Sequence, residues 1–129
     1  MQFKSIIGQK ELISNLTTSF KENRVAHTQL FLGDEGYGAL PLAIAYSQFL
    51  LCTNKQSDDS CGVCPSCKKF DKYAHPDLHF YFPTATNQTI KKNPKSSFAM
   101  DVWRNYLVEN NAYITLNGWL ENLGVGNKQ

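Results

Sequence analysis

A chain of 129 residues, 42% hydrophobic and 19% charged, holds enough apolar material for one small folded domain and too much for a disordered segment. Its formal net charge of +2 and pI of about 8.3 give no general electrostatic hold on nucleic acid. No apolar run approaches the length of a membrane span, and the first residues lack the charged start and continuous apolar middle of a secretion signal, so the expected location is the cytoplasm.

Gln9 to Asn23 carries Leu12, Ile13, Leu16 and Phe20 at helical spacing, with Lys10, Glu11, Lys21 and Glu22 outside the stripe. This predicts an amphipathic helix, entered through Ile6-Ile7-Gly8-Gln9. A connection over 23–27 includes His27, expected to be a hydrogen-bonded structural histidine because no nucleophile stands near it in sequence. Thr28-Gln29-Leu30-Phe31-Leu32 is a short apolar run entering a glycine and reads as a buried strand.

Gly33-Asp34-Glu35-Gly36-Tyr37-Gly38-Ala39-Leu40 comes next, with the frame of a phosphate-binding loop, G-x-x-x-x-G-K-[ST]. Both template glycines are present, but Ala39 stands where a lysine ammonium would reach the β- and γ-phosphates. Leu40 stands where a hydroxyl would hold Mg²⁺, and Pro41 removes one more backbone donor. No cofactor is expected on this degenerate loop, and ATP in particular is not. Leu42 to Leu51 is apolar nearly all round, the pattern of a helix packed on both sides, with Pro41 suited to its first turn.

Four cysteines lie between positions 52 and 67 and none elsewhere, which in a reducing compartment points to a metal more than to disulfides. Cys61-Gly62-Val63-Cys64-Pro65-Ser66-Cys67 has two successive C-x-x-C spacings, and Cys52 can close a tetrahedron from the end of the preceding helix. Four thiolates leave no open coordination position, so the expected cofactor is structural Zn²⁺ held by Cys52, Cys61, Cys64 and Cys67. An iron–sulfur cluster also uses four thiolates, usually at other spacings, and a redox C-x-x-C would leave two cysteines without a role. His75 and His79 are expected to be non-ligands.

Lys68, Lys69 and Lys72 come after the cysteines on a short expected helix. Asp71 interrupts them and no aromatic platform alternates with them, so a solvated face is the preferred reading over a nucleic-acid contact. Asp77 to Phe82 reads as a second strand, parallel to the first because a long crossover separates them. The polar stretch from Pro83 to Ser97 reads as a mobile surface loop. Phe98 to Asn110 returns to helical spacing with a stripe of Trp103, Tyr106 and Leu107, extended by Phe98 or Val102. Thr115 can cap a last helix containing Leu116, Trp119, Leu120 and Leu123 and ended by Gly124, with a frayed tail over 125–129. The two tryptophans are read as core, with a partner groove as the other possibility.

Several stretches taken together resemble the N-terminal region of the bacterial DNA polymerase III clamp-loader subunits. They are Phe3-Lys4-Ser5-Ile6-Ile7-Gly8-Gln9, the run from Arg24 to Gly33, Gly36-Tyr37-Gly38, Leu50-Leu51-Cys52, the run from Cys61 to Cys67, and His75-Pro76-Asp77-Leu78. The resemblance covers roughly residues 1 to 83 and implies an α/β fold: the N-terminal part of a RecA-like AAA+ domain, a P-loop NTPase fold, with a four-cysteine zinc-binding insertion at about 52–73 and a divergent helical segment at about 98–124. Within that family the gamma and tau ATPase subunits keep a Lys-Thr pair in the loop and the delta-prime type does not, so Ala39 and Leu40 group this chain with the delta-prime type. The resemblance thus implies a non-hydrolysing clamp-loader subunit acting in DNA replication, with gamma/tau and delta as partners and with DNA and the sliding clamp reached through the complex. The acidic strand motif and the Ser-Arg-Cys motif of the family are absent, so an N-terminal fragment is expected. Two other readings stay open: an ATPase subunit with an unusual loop, using Arg24 or a neighbour's lysine at the γ-phosphate, and a zinc-centred nucleic-acid-binding module using Lys68, Lys69 and Lys72.

Overall fold

A computed structural model of the chain describes residues 1–125, so that beyond Val125 the expected frayed tail lies outside the described residues. Five α-helices are formed among the described residues: α1 (Lys10–Lys21), α2 (Ala39–Leu51), α3 (Pro65–Phe70), α4 (Met100–Glu109) and α5 (Leu116–Asn122). Single 3-10 turns at Phe3–Ser5 and Ser96–Ala99 precede the first and fourth of them. Among the described residues, no helix is long and apolar enough to cross a membrane.

The fold is built around α2. Its sequence, ALPLAIAYSQFLL, offers apolar side chains in every direction, and a helix of that kind is stable only when covered on all sides. One flank, through Leu42, Ala45, Tyr46 and Phe49, packs on Phe3, Ile6 and the inner residues of α1. The other, through Ile44, meets a second core of Trp103, Leu107, Trp119 and Leu123 from α4 and the α5 region. Phe82 stacks on Trp103 at 4.3 Å, and the two tryptophans meet edge to face at 4.9 Å, arrangements that suit the charge distribution of aromatic rings. Trp119 Nε1 donates to the Pro83 carbonyl at 2.7 Å, which satisfies its polar edge.

The helical expectations hold with shorter bounds. Phe98 and Val102 are exposed and do not extend the α4 stripe, and Leu12 on α1 is half exposed. Thr115 caps α5 as its position predicts, its Oγ1 accepting from Gly118 N at 3.1 Å. The polar stretch after Pro83 runs over the surface but is pinned at one place, where Asn87 Nδ2 donates to the Leu123 carbonyl and Ile90 enters the core. His27, expected to be a hydrogen-bonded structural histidine, is exposed.

The sheet expected of an α/β fold is not formed: no strand is present among the described residues. Residues 28–32 and 77–82 contain no regular element, and a strand exists only as one side of a backbone ladder. These two segments belong to different cores. Phe31 packs toward Tyr46 in the first, whereas Phe80 and Phe82 pack on Trp103 in the second. Leu30 and Leu32 are consequently 80% and 84% exposed, where the sequence predicts a buried strand.

Candidate metal centre and glycine loop

The two candidate sites lie at opposite ends of α2, which at 13 residues separates them by about 20 Å. Gly38, in the left-handed region at φ +109, caps its start, and Cys52, buried, caps its end.

At the starting end the chain turns tightly between Gly33 and Gly38, with Tyr37 N donating to the Asp34 carbonyl at 3.2 Å, and Gly36 also has positive φ, at +79. The helix begins at Ala39, where the template has its lysine, so Ala39 and Leu40 both lie half buried in the first turn. The chain's own charges there are negative: Asp34 and Glu35 both sit exposed in the turn. Beside it runs a groove of about 380 Å³ between Leu12 and Leu16 of α1, the exposed Leu30 and Leu32, and Tyr37, and no lysine or arginine lines it. A triphosphate placed on this turn would meet apolar walls, with no lysine or arginine of the groove to offset its charge.

The turn is braced from the far end of the chain. Glu35 Oε2 accepts from Leu116 N at 2.8 Å, at the start of α5. Tyr113 and Thr115 back onto the glycines: a Cβ added to Gly38 would lie 3.5 Å from the Tyr113 ring, and one added to Gly36 would lie 3.7 Å from Thr115 Cγ2. The Tyr113 hydroxyl also accepts from Ile7 N at 2.9 Å. The charges of Asp34 and Glu35 carried no weight in the sequence-based expectation, and no local pattern signals the contact of Glu35 with residue 116.

At the other end of α2, the sulfurs of Cys52, Cys61, Cys64 and Cys67 all lie within 4.8 Å of one another. The separations are 3.6 Å for Cys52–Cys61, 3.9 Å for Cys52–Cys64 and 4.0 Å for Cys61–Cys67. Sulfurs at the corners of a tetrahedron around zinc, each about 2.3 Å from the ion, stand about 3.8 Å apart, so this donor set fits a tetrahedral thiolate-loving ion. His75 and His79 are not part of the cluster; His75 Nδ1 instead accepts from Asp77 N at 3.1 Å.

Local sequence explains the convergence. Pro65 fixes the first turn of α3, Cys64 caps it with its own sulfur, and Cys67 comes one turn later, fully buried. Backbone amides of Cys61, Cys64 and Cys67 point at the sulfurs of Cys52, Cys61 and Cys64, at 3.4, 3.3 and 3.4 Å. Such donors favour the thiolate form. The Thr53 side chain, followed by the Cys67 amide, holds the Cys64 thiol down to about 5. The amides of Val63 and then Cys64 lower that of Cys61. Burial, above all, pushes Cys67 up to about 12. The three lysines beside the cluster, Lys68, Lys69 and Lys72, are exposed.

Comparison with known proteins gives the family. Residues 8–116 match the family model described as DNA polymerase III, delta subunit. The chain is 32% identical over 76 residues to the DNA polymerase III subunit tau/gamma of Haemophilus influenzae, covering 59% of this chain and 11% of that protein. It is 32% identical over 75 residues to the DNA polymerase III subunit delta' of Escherichia coli, covering 58% of this chain and 22% of that protein. A 70-residue match at 33% identity to the Protein STICHEL of Arabidopsis thaliana covers 54% of this chain and 6% of the relative. The matches therefore span less than a quarter of each of these relatives. No solved structure matches the chain. With most of its length inside the family match, this chain belongs to the DNA polymerase III delta-subunit family of clamp-loader proteins and corresponds to their N-terminal region.

Proposed function

We propose that this chain acts as a non-hydrolysing, delta-prime-type subunit of the DNA polymerase III clamp loader, in the complex that places the sliding clamp on primed DNA. Residues 1–129 are read as the N-terminal part of a RecA-like AAA+ domain, with a metal-binding insertion over about 52–73 and a divergent helical segment over about 98–124. Gamma/tau and delta subunits are its proposed partners, and its contact with DNA and clamp runs through the complex.

The observation that carries the choice of type is the chemistry of the glycine turn. Half-buried Ala39 and Leu40 replace the ammonium and hydroxyl that a triphosphate with Mg²⁺ requires, and Asp34 and Glu35 add negative charge to the same turn. Similarity in sequence is shared between tau/gamma and delta' relatives, so it leaves this choice to the loop. A domain of this kind serves by shape, packing beside an ATP-bearing neighbour without turning over ATP itself.

Zinc is the proposed resident of the cysteine cluster, with Cys52, Cys61, Cys64 and Cys67 as its four ligands. When bound it supplies cross-links that fix the loop 53–63 to the ends of α2 and α3 and leaves no coordination position for a water. Elemental analysis of the purified chain is expected to give one zinc per chain, and calorimetric titration with Mg-ATP to give no binding heat. A metal-free chain would remove the zinc assignment, and saturable ATP binding would move the protein to the gamma/tau type.

A further inference from the structure

Three of the four cysteines are placed by helices: Cys52 ends α2, while Cys64 and Cys67 belong to the start of α3. Cys61 alone lies on irregular chain, and a loop does not hold a sulfur to a few tenths of an ångström without outside support. That support comes from the residue pair before it. Asp59 Oδ1 accepts from Ser60 N at 2.7 Å and from Phe3 N at 3.0 Å, and its Oδ2 accepts from Lys4 N at 3.1 Å. Its own carbonyl accepts from Gln56 N at 2.8 Å, closing the loop beneath it.

Ser60 is then fixed from two further sides. Gln2 Nε2 donates to its carbonyl at 2.6 Å, and Gln48 of α2, fully buried, donates Nε2 to its hydroxyl at 3.0 Å. The first residues of the chain also press on the next turn, since a Cβ added to Gly62 would lie 2.6 Å from Gln2 Oε1. The neighbouring acid, Asp58, makes none of these contacts; it accepts from Ser57 Oγ at 3.3 Å.

We propose that Asp59 is a positioning residue for the cysteine cluster, setting Cys61 through Ser60 and making the arm Gln2–Lys4 part of the metal-binding unit. A carboxylate is suited to the task because it only accepts hydrogen bonds, and here it gathers three backbone N–H groups, two from the distant arm and one from its own neighbour Ser60. An asparagine of the same shape would turn one of those acceptors into a donor facing an N–H. The inference rests on reading the cluster as a metal site, and it predicts that metal binding and order in the arm rise and fall together.

Cobalt(II) titration of the whole chain, followed by its visible absorption, separates the two. Wild type is expected to give the intense bands of tetrahedral cobalt–thiolate, and absence of those bands would overturn the metal reading itself. Asp59→Asn is expected to bind cobalt roughly ten-fold more weakly, whereas Asp58→Asn, which removes the same charge, binds as wild type. Wild-type affinity in Asp59→Asn, or equal weakening in both variants, would overturn the positioning role. Should Asp59→Asn fail to fold, Gln2→Ala removes the arm's bond to Ser60 together with its contact at Gly62: weaker binding supports the role and unchanged binding overturns it.

Discussion

Cys64 and Cys67 sit one turn apart on the same short helix and are driven to opposite protonation states. With Cys64 held down to about 5 it is a thiolate at neutral pH, and with Cys67 pushed up to about 12 it keeps its proton. A metal ion therefore finds one thiolate ready and must expel the proton from the buried partner. Zinc binding at neutral pH is expected to release protons, but fewer than the four that fully protonated thiols would give, and calorimetry in buffers of different ionisation heat measures the number. The sign for affinity is set by the same protons: it falls as the pH falls, and more steeply below about 5, where Cys64 protonates as well. At the glycine turn, Ala39→Lys with Leu40→Thr is expected to restore no ATP hydrolysis, since no carboxylate lines the groove to hold a catalytic water; turnover above background in a phosphate-release assay would contradict this. Both residue sets were legible from spacing alone, because C-x-x-C and G-x-x-x-x-G encode short local turns. Asp59 was not, since its partners Phe3 and Lys4 lie more than fifty residues away.

Among the elements, helices were readable and strands were not, for one physical reason. A helix satisfies its backbone within itself, so apolar spacing and caps such as Thr115 locate it, whereas a strand depends on a neighbour that a local pattern does not specify. Thr28 to Leu32 has strand-like composition, yet its inner face meets Tyr46 and its outer leucines meet water. The contact between α5 and the glycine turn was equally hidden. Glu35→Ala removes the acceptor for Leu116 N, and amide hydrogen exchange over 33–38 is expected to quicken about three-fold to ten-fold, a modest effect because the bond is exposed. Within the α4–α5 pair, a Cβ added to Gly118 would lie 2.5 Å from the Tyr106 hydroxyl, so the Tyr106 side chain has to shift to admit one. Gly118→Ala is expected to cost about 1–3 kcal/mol of stability in chemical denaturation, the lower end applying if the Tyr106 ring turns aside.

For the molecule as a whole, α2 is the shared wall of two cores and the link between two sites of different chemistry. The zinc proposed for the cysteine end would give that end a large hold on the fold, since a structural zinc in a small module contributes on the order of 10 kcal/mol. Chelation is expected to expose residues 52–67 to protease before α4 and α5 and to lower the melting temperature; an unchanged cleavage pattern would remove the structural role given to zinc. The glycine end has its shape supported by Glu35, Tyr113 and Thr115 from within the chain. Its order is thus expected not to depend on a nucleotide, which is the property a passive clamp-loader subunit needs. Amide hydrogen exchange of the zinc-loaded chain, with and without Mg-ATP, tests this most directly. Identical exchange over residues 33–42 is predicted in the two conditions, and protection of that stretch by Mg-ATP would contradict the passive role.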